Sequence, residues 1–207
     1  MRYIGDVHGK WHDYRDIIAT CDESIQVGDF GVGFRPYGSE PYSVGPVAGF
    51  TPDPEFTDNH RFIRGNHDNP AACKVHKNWI PDGAVEGDTM FIGGAISIDK
   101  EWRTPGISYW EDEELDYQSL GDLIQKYEEV KPRVMVTHEA PEEVIRHVMP
   151  FYQPGRFDSG HTRMALQNMF EVHKPELWIF GHWHYGVDTN ILGTRFICLP
   201  ELGYIDI

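Results

Sequence analysis

The sequence predicts an α/β fold in which helices cover a mainly parallel sheet core, and three observations carry that expectation. Apolar runs of strand length recur along the chain, apolar stripes at helical spacing lie between them, and most of the runs end in a short polar motif led by glycine. In such folds the functional loops gather at the strand ends. The chain of 207 residues suits one compact domain spanning residues 1–207, large enough to bury most of its apolar surface.

The runs at residues 2–4, 24–27, 61–63, 90–98, 134–136, 177–180 and 195–199 read as buried strands. After the first, Trp11, Tyr14, Ile17 and Ile18 fall on one helical face, and Leu120, Leu123, Ile124 and Tyr127 form a second stripe. Pro141 followed by Glu142 and Glu143 predicts a first helical turn, where proline is tolerated and acids face the positive end of the helix dipole. Ser159 is placed to cap a further helix carrying Leu166, Met169 and Phe170. Two segments break the alternation. Residues 33–57 are rich in Gly, Pro and aromatics without helical period, and read as a long loop acting as a partial lid. Residues 99–114 bring Lys100, Trp102, Arg103, Tyr109 and Trp110 together ahead of a run of acids. They read either as a surface hairpin packed on the sheet or as part of a substrate-binding wall.

A formal charge of -15 leaves no broad basic groove, so long nucleic acid is not expected as a partner. Cys21, Cys73 and Cys198 are scattered and lie outside the motifs, which fits buried thiols in a reducing, cytoplasmic setting. No apolar stretch reaches the length of a membrane span, and with the first motif at Gly5 no secretory leader is expected.

The polar motifs are Gly5-Asp6-Val7-His8-Gly9, Gly28-Asp29, Gly65-Asn66-His67-Asp68, Thr137-His138 and Gly181-His182-Trp183-His184. They spread seven oxygen and nitrogen donors over five distant points of the chain, so the fold must assemble any cage they form. Asp6 and His8 stand two apart where the first strand ends and can aim at one point. Asp29 is the natural bridge, because a carboxylate can hold two cations and offset their repulsion. Asn66 offers a neutral amide oxygen, and His138, His182 and His184 offer imidazole nitrogens. The set is too nitrogen-rich for magnesium alone and holds no thiolate. Two divalent transition-metal ions are therefore expected, manganese first, with iron, zinc or nickel as alternatives. Two such ions against two carboxylates leave a positive site that attracts phosphate inside an acidic protein.

In order and content these motifs resemble the calcineurin-like metallophosphoesterase superfamily, from Gly5 to His184. The resemblance implies a four-layer αββα sandwich. It also implies one metal on Asp6, His8, Asp29 and His184 and a second on Asp29, Asn66, His138 and His182. His67 matches the superfamily's catalytic histidine, which protonates the departing oxygen or stabilises charge on the phosphoryl group; Asp68 reads as a support of its loop rather than a chemical group. The implied reaction is hydrolysis of a small phosphomonoester or phosphodiester, nucleotides included, by in-line attack of a water shared between the metals. A nuclease or cyclic-nucleotide phosphodiesterase is the alternative enzyme, and a binding scaffold without chemistry the alternative class. Where the protein phosphatase branch has an Asp and an Arg after its second motif, this chain reads Phe30-Gly31-Val32-Gly33. The phosphate clamp is thus open among Arg35, Lys100, Arg103 and Arg163.

Overall fold

The computed structural model describes residues 1–34, 57–152 and 160–207. Along them run β1 (Arg2–Ile4), α1 (Trp11–Ile18), β2 (Ser24–Gln26), β3 (His60–Phe62), α2 (Pro70–Lys74), β4 (Val85–Glu86), β5 (Thr89–Ile92), α3 (Tyr117–Val130), β6 (Val134–Thr137), α4 (Glu142–Val148), α5 (His161–Val172), β7 (Leu177–Phe180), β8 (Val187–Ile191), β9 (Thr194–Cys198) and β10 (Tyr204–Asp206). They form two sheets, ordered β10-β1-β2-β3 and β4-β5-β6-β7-β9-β8. β1, β2 and β3 are parallel in the first, and β5, β6, β7 and β9 in the second, with β10, β4 and β8 antiparallel at the edges.

The apolar runs are continuous because both faces of each sheet are covered. Side chains alternate across a strand, and here the alternation separates two buried layers. Tyr3, Ile25, Val27 and Ile63 of the first sheet meet Phe91, Val136, Ile179 and Ile197 of the second between the sheets. The neighbours Met90, Ile92, Met135, Trp178, Phe180 and Phe196 point the other way, onto Leu123 and Tyr127 of α3, Val144 and Ile145 of α4, and Leu166, Met169 and Phe170 of α5. On the outer face of the first sheet, Ile4 and Phe62 pack with Tyr14 and Ile18 of α1 and Cys73 of α2. The result is the αββα sandwich. Full burial of each such side chain contributes about 1.5–3 kcal/mol.

Parallel strands end at a common edge, and the motif loops leave from that edge and are stitched to one another. Val7 and His8 donate backbone N–H groups to the Asp29 carbonyl at 3.0 and 2.8 Å, and Gly181 donates to the His138 carbonyl at 3.1 Å. The run at residues 90–98 is strand only to Ile92. Beyond it Gly94, at φ 82°, turns the backbone so that its N–H reaches the Arg64 carbonyl at 2.9 Å. Pro141 precedes α4 as its N-cap, one position earlier than expected, with Glu142 and Glu143 in the first turn. Ser159 and most of the expected lid, from Arg35 onward, lie outside the described residues. The five-residue α2 is too short to carry a helical stripe in the sequence; its start is marked by Pro70 and by the Asn69 side chain accepting from Ala71 and Ala72. The edge strands β4, β8 and β10 likewise lie outside the expected apolar runs. Among the described residues no helix is long and apolar enough to cross a membrane.

Candidate metal centre

Each of the seven donors leaves the end of a strand, and together they form two overlapping groups. Asp6, His8, Asp29 and His184 have donor atoms within 4.8 Å of one another, as do those of Asp29, His138 and His182. Asn66 joins the second group through Oδ1, 3.1 Å from His138 Nε2. Asp29 belongs to both. Its Oδ2 faces His8 Nε2 at 3.9 Å, while Oδ1 faces His138 Nε2 at 3.2 Å and accepts from the His67 backbone N–H at 2.7 Å.

Backbone strain is concentrated here. Among the described residues seven non-glycine residues have positive φ, and four of them are His8, Asp29, His182 and His184. Such conformations persist where the surroundings over-determine them, and they cluster at functional sites. The motif glycines serve the same crowding. A Cβ on Gly65 would sit 2.1 Å from Asp29 Oδ1, and one on Gly28 would sit 2.3 Å from His138 Nδ1.

The donor set fits a metal pair better than it fits a hydrogen-bond network. Asp6 Oδ2 is fully buried without a donor in hydrogen-bonding geometry, although His184 Nε2 lies 2.9 Å away. His8 Nε2 and His184 Nε2 approach to 2.9 Å, close to the spacing of about 3 Å between neighbouring ligands on one transition-metal ion. The Val27 carbonyl accepts from His138 Nδ1 at 2.9 Å, which fixes that proton and turns the Nε2 lone pair inward. Burial alone pushes the Asp29 carboxyl up, but the surrounding imidazoles of His67, His138 and His8 outweigh it and hold it well below the usual carboxylate range. Burial likewise opposes charge on His138, yet Asp29 and Asp6 push it up to about 10. The carboxylates thus call for positive charge at this point.

The family of calcineurin-like phosphoesterases matches residues 3–186. The chain belongs to that family. The family is one of metal-dependent phosphoesterases. No curated protein matches the chain in sequence. Among solved structures it is similar to a Staphylococcus aureus protein assigned as a candidate 5'-nucleotidase, solved with alpha-ketoglutarate. The TM-score is 0.51 at 12% identity, over 98% of this chain and 48% of that one. The chain therefore spans about half the length of that relative, and the likeness shows the fold alone. A weaker likeness, TM-score 0.46 at 11% identity over 96% of this chain and 70% of the other, is to GAP50, the anchor in the inner membrane complex of Plasmodium, and carries no argument.

Two open lobes lie against the cluster. One, about 620 Å³, is lined by His8, Phe34, His67, Trp102, Arg103 and His184; the other, about 430 Å³, by Asp29, Asn66, His67, Arg103, Phe151 and Trp183 among others. His67 and Arg103 stand in both. Phe34 stacks flat on His67 at 4.5 Å between ring centroids, and Arg103 Nη2 reaches His67 Nε2 at 2.5 Å. Burial, with the neighbouring Arg103 charge, lowers the His67 pKa to about 4 against the pull of Asp29, so the ring is neutral near pH 7. Asp99 holds Arg103 Nε at 2.6 Å, and Ser108 accepts from its Nη1 at 3.2 Å.

Of the clamp candidates, Arg103 alone among the described residues reaches the cluster. Arg163 is buried under it, paired with Glu139 and Glu142, Lys100 lines a different cavity, and Arg35 lies outside the described residues. Residues 99–114 are not a hairpin on the sheet. They hold a 3₁₀ turn at Lys100–Trp102 and one bridge between Pro105 and Tyr109, with Trp102 80% exposed and Trp110 buried. Asp68 supports its loop as expected, accepting backbone N–H groups from Phe30, Gly31, Val32 and Gly65 at 2.6–3.1 Å.

Sequence reasoning missed three buried residues around the centre. Glu139 accepts from Arg163, Trp183 Nε1 and the Ala140 N–H, with Oε2 3.7 Å from His182 Nε2. Its place directly after His138 was the available signal. Ser97 and Glu113 join Asn66, and Glu113 was hidden in an acidic run that composition assigns to the surface.

Proposed function

We propose that the chain hydrolyses a phosphomonoester or small phosphodiester, nucleotides among them. Asp6, His8, Asp29 and His184 hold one divalent ion, and Asp29, Asn66, His138 and His182 hold the other. When bound, the ions supply Lewis-acid polarisation of phosphoryl oxygens and activation of a water for in-line attack. The observation that supports this most is Asp29, whose two carboxylate oxygens face the two donor groups separately. Oxygen and nitrogen donors without thiolate suit manganese, with iron, zinc and nickel as the competitors. Three free cysteines agree with a cytoplasmic setting.

The second part of the reading concerns proton placement. A His8 ring that offers Nε2 to an ion keeps its proton on Nδ1. That proton faces His67 Nδ1 at 3.2 Å, so His67 accepts there and carries its own proton on Nε2. Arg103 can only donate, so in the metal-free chain its Nη2 gives a hydrogen to His67 Nε2 at 2.5 Å; with an ion on His8 that nitrogen carries the ring proton instead, and an anionic substrate oxygen entering between the two donors accepts from both. A neutral His67 acts by stabilising charge through this hydrogen bond, and Arg103 is the phosphate clamp.

Assays on nucleotides, sugar phosphates and aryl phosphodiesters with defined metals test the proposal. Hydrolysis should vanish on chelation and return with a transition metal. Failure of the reloaded protein on every ester would favour the scaffold reading.

A further inference from the structure

We propose that Ser97 and Glu113 are positioning residues that fix which end of the Asn66 amide faces the metal centre. The inference rests on Asn66 as a metal donor and adds a reason for its orientation. An Asn side chain has an oxygen that can serve a cation and an amino group that cannot, and the two ends have nearly the same shape. Something must choose between them.

The choice follows from hydrogen-bond polarity. Glu113 is 3% exposed and grips Ser97 twice, accepting its backbone N–H on Oε1 at 2.7 Å and its hydroxyl on Oε2 at 2.6 Å. A carboxylate can only accept, so the single Ser97 hydroxyl proton is committed to it. Ser97 Oγ therefore has only lone pairs for its other neighbour, the Asn66 side chain at 3.0 Å. Asn66 must present Nδ2 there, which turns Oδ1 toward His138 Nε2, the nitrogen that also faces Asp29 Oδ1. All three residues are buried, Ser97 at 1% and Asn66 at 2% exposure, so water does not relieve a wrong pairing.

Glu113→Gln inverts the chain of polarity with almost no change of shape. The new amide oxygen takes the Ser97 N–H, leaving its amino group against Ser97 Oγ. That group can only donate, so the hydroxyl proton is released toward position 66 and an oxygen must face it. In the single variant the Asn66 amide flips and offers N–H groups to the ion. Adding Asn66→Asp repairs this, because a carboxylate accepts the hydroxyl with one oxygen and keeps the other for the metal. With native Glu113, however, Asn66→Asp sets a carboxylate against a hydroxyl oxygen whose proton is already taken.

The test is Mn²⁺ titration of the metal-free proteins by calorimetry, with bound metal counted by elemental analysis. Burial pushes the Glu113 carboxyl up to about 7, so measurements are made at about pH 8.5, where it is ionised. Glu113→Gln should weaken the second ion by about 10–100-fold, and Asn66→Asp should bind it better when combined with Glu113→Gln than with native Glu113. Ser97→Ala, which removes the link while leaving Glu113, should weaken the same ion. Additive effects of Glu113→Gln and Asn66→Asp, or an unchanged second ion in Ser97→Ala, would overturn the inference. Asn66→Ala separates the underlying assumption: if it retains both ions at native affinity, Asn66 is not a donor and the proposed metal set itself is wrong.

Discussion

At the scale of single residues, His67 and Arg103 divide the recognition of a phosphate ester between a neutral ring and a fixed cation. Asp99 and the Ser108 carbonyl aim the guanidinium while its Nη2 remains directed at His67. Arg103→Ala should raise KM for an anionic small substrate by about tenfold or more, the loss of a hydrogen bond to a charged group, with metal content unchanged. Steady-state kinetics beside metal analysis checks this. For His67→Gln both ions should stay. If the neutral ring stabilises phosphoryl charge, alkyl phosphates and nitrophenyl esters should lose rate alike. A much larger loss on alkyl phosphates would instead mark His67 as the proton donor to the leaving group.

Glu113 supplies a pH dependence that can be measured without turnover. Its carboxyl rises from the ordinary 4.5 to about 7 in the folded protein, chiefly through burial. A raised folded pKa means that its contribution to stability is fully present below about pH 4.5 and is lost as pH rises through about 7. In the metal-free protein wild type should lose about 3 kcal/mol relative to Glu113→Gln across that window. Denaturant melts at several pH values report it, and parallel profiles would contradict the assignment.

At the scale of elements, the strand ends are held by one carboxylate that touches no candidate donor atom. Asp68 ties Gly65 of the third motif to Phe30, Gly31 and Val32 after the second, through four backbone N–H groups. Asp68→Ala leaves those buried donors without an acceptor and should cost about 3 kcal/mol or more, with looser retention of metal at Asp29. Thermal melts and metal analysis measure both effects. This level also shows what was legible in the sequence. Strands buried on both faces announce themselves as apolar runs, so β1, β2, β3, β6, β7 and β9 were found to within one or two residues. β8, reading Val-Asp-Thr-Asn-Ile, and β10, reading Tyr-Ile-Asp, lie at edges and carry no such run. The run at residues 90–98 was read too long because Gly93 and Gly94, though not apolar, did not break it. That departure from the sheet is also what carries Ser97 to Asn66, a contact that no local pattern encodes. The seven candidate donors were legible because their residue types are restrictive. Glu139, Glu113 and Ser97 were not, since an acid or a serine acquires meaning only from its neighbours in space.

At the scale of the whole molecule, a cluster of imidazoles and carboxylates sits at the strand edge of an acidic protein, with one guanidinium over it among the described residues. A net charge of -15 opposes a polyanion more than a compact ester. Long DNA should compete poorly against a small phosphate ester at physiological salt. Tight, steeply salt-dependent DNA binding with preferential cleavage of polynucleotide would make the nuclease reading the better one.

If Asp29 joins two metal positions, replacing its carboxylate by an amide in Asp29→Asn removes one of them. An amide oxygen can face one donor group, but its amino group cannot serve the other. The purified wild-type protein, chelated and then reloaded with Mn²⁺, should hold two ions per chain. The Asp29→Asn protein should hold one or none under the same conditions, with most turnover gone. Two tightly held ions and full activity in the variant, or full activity in wild type stripped of metal, would show that Asp29 bridges no metal pair.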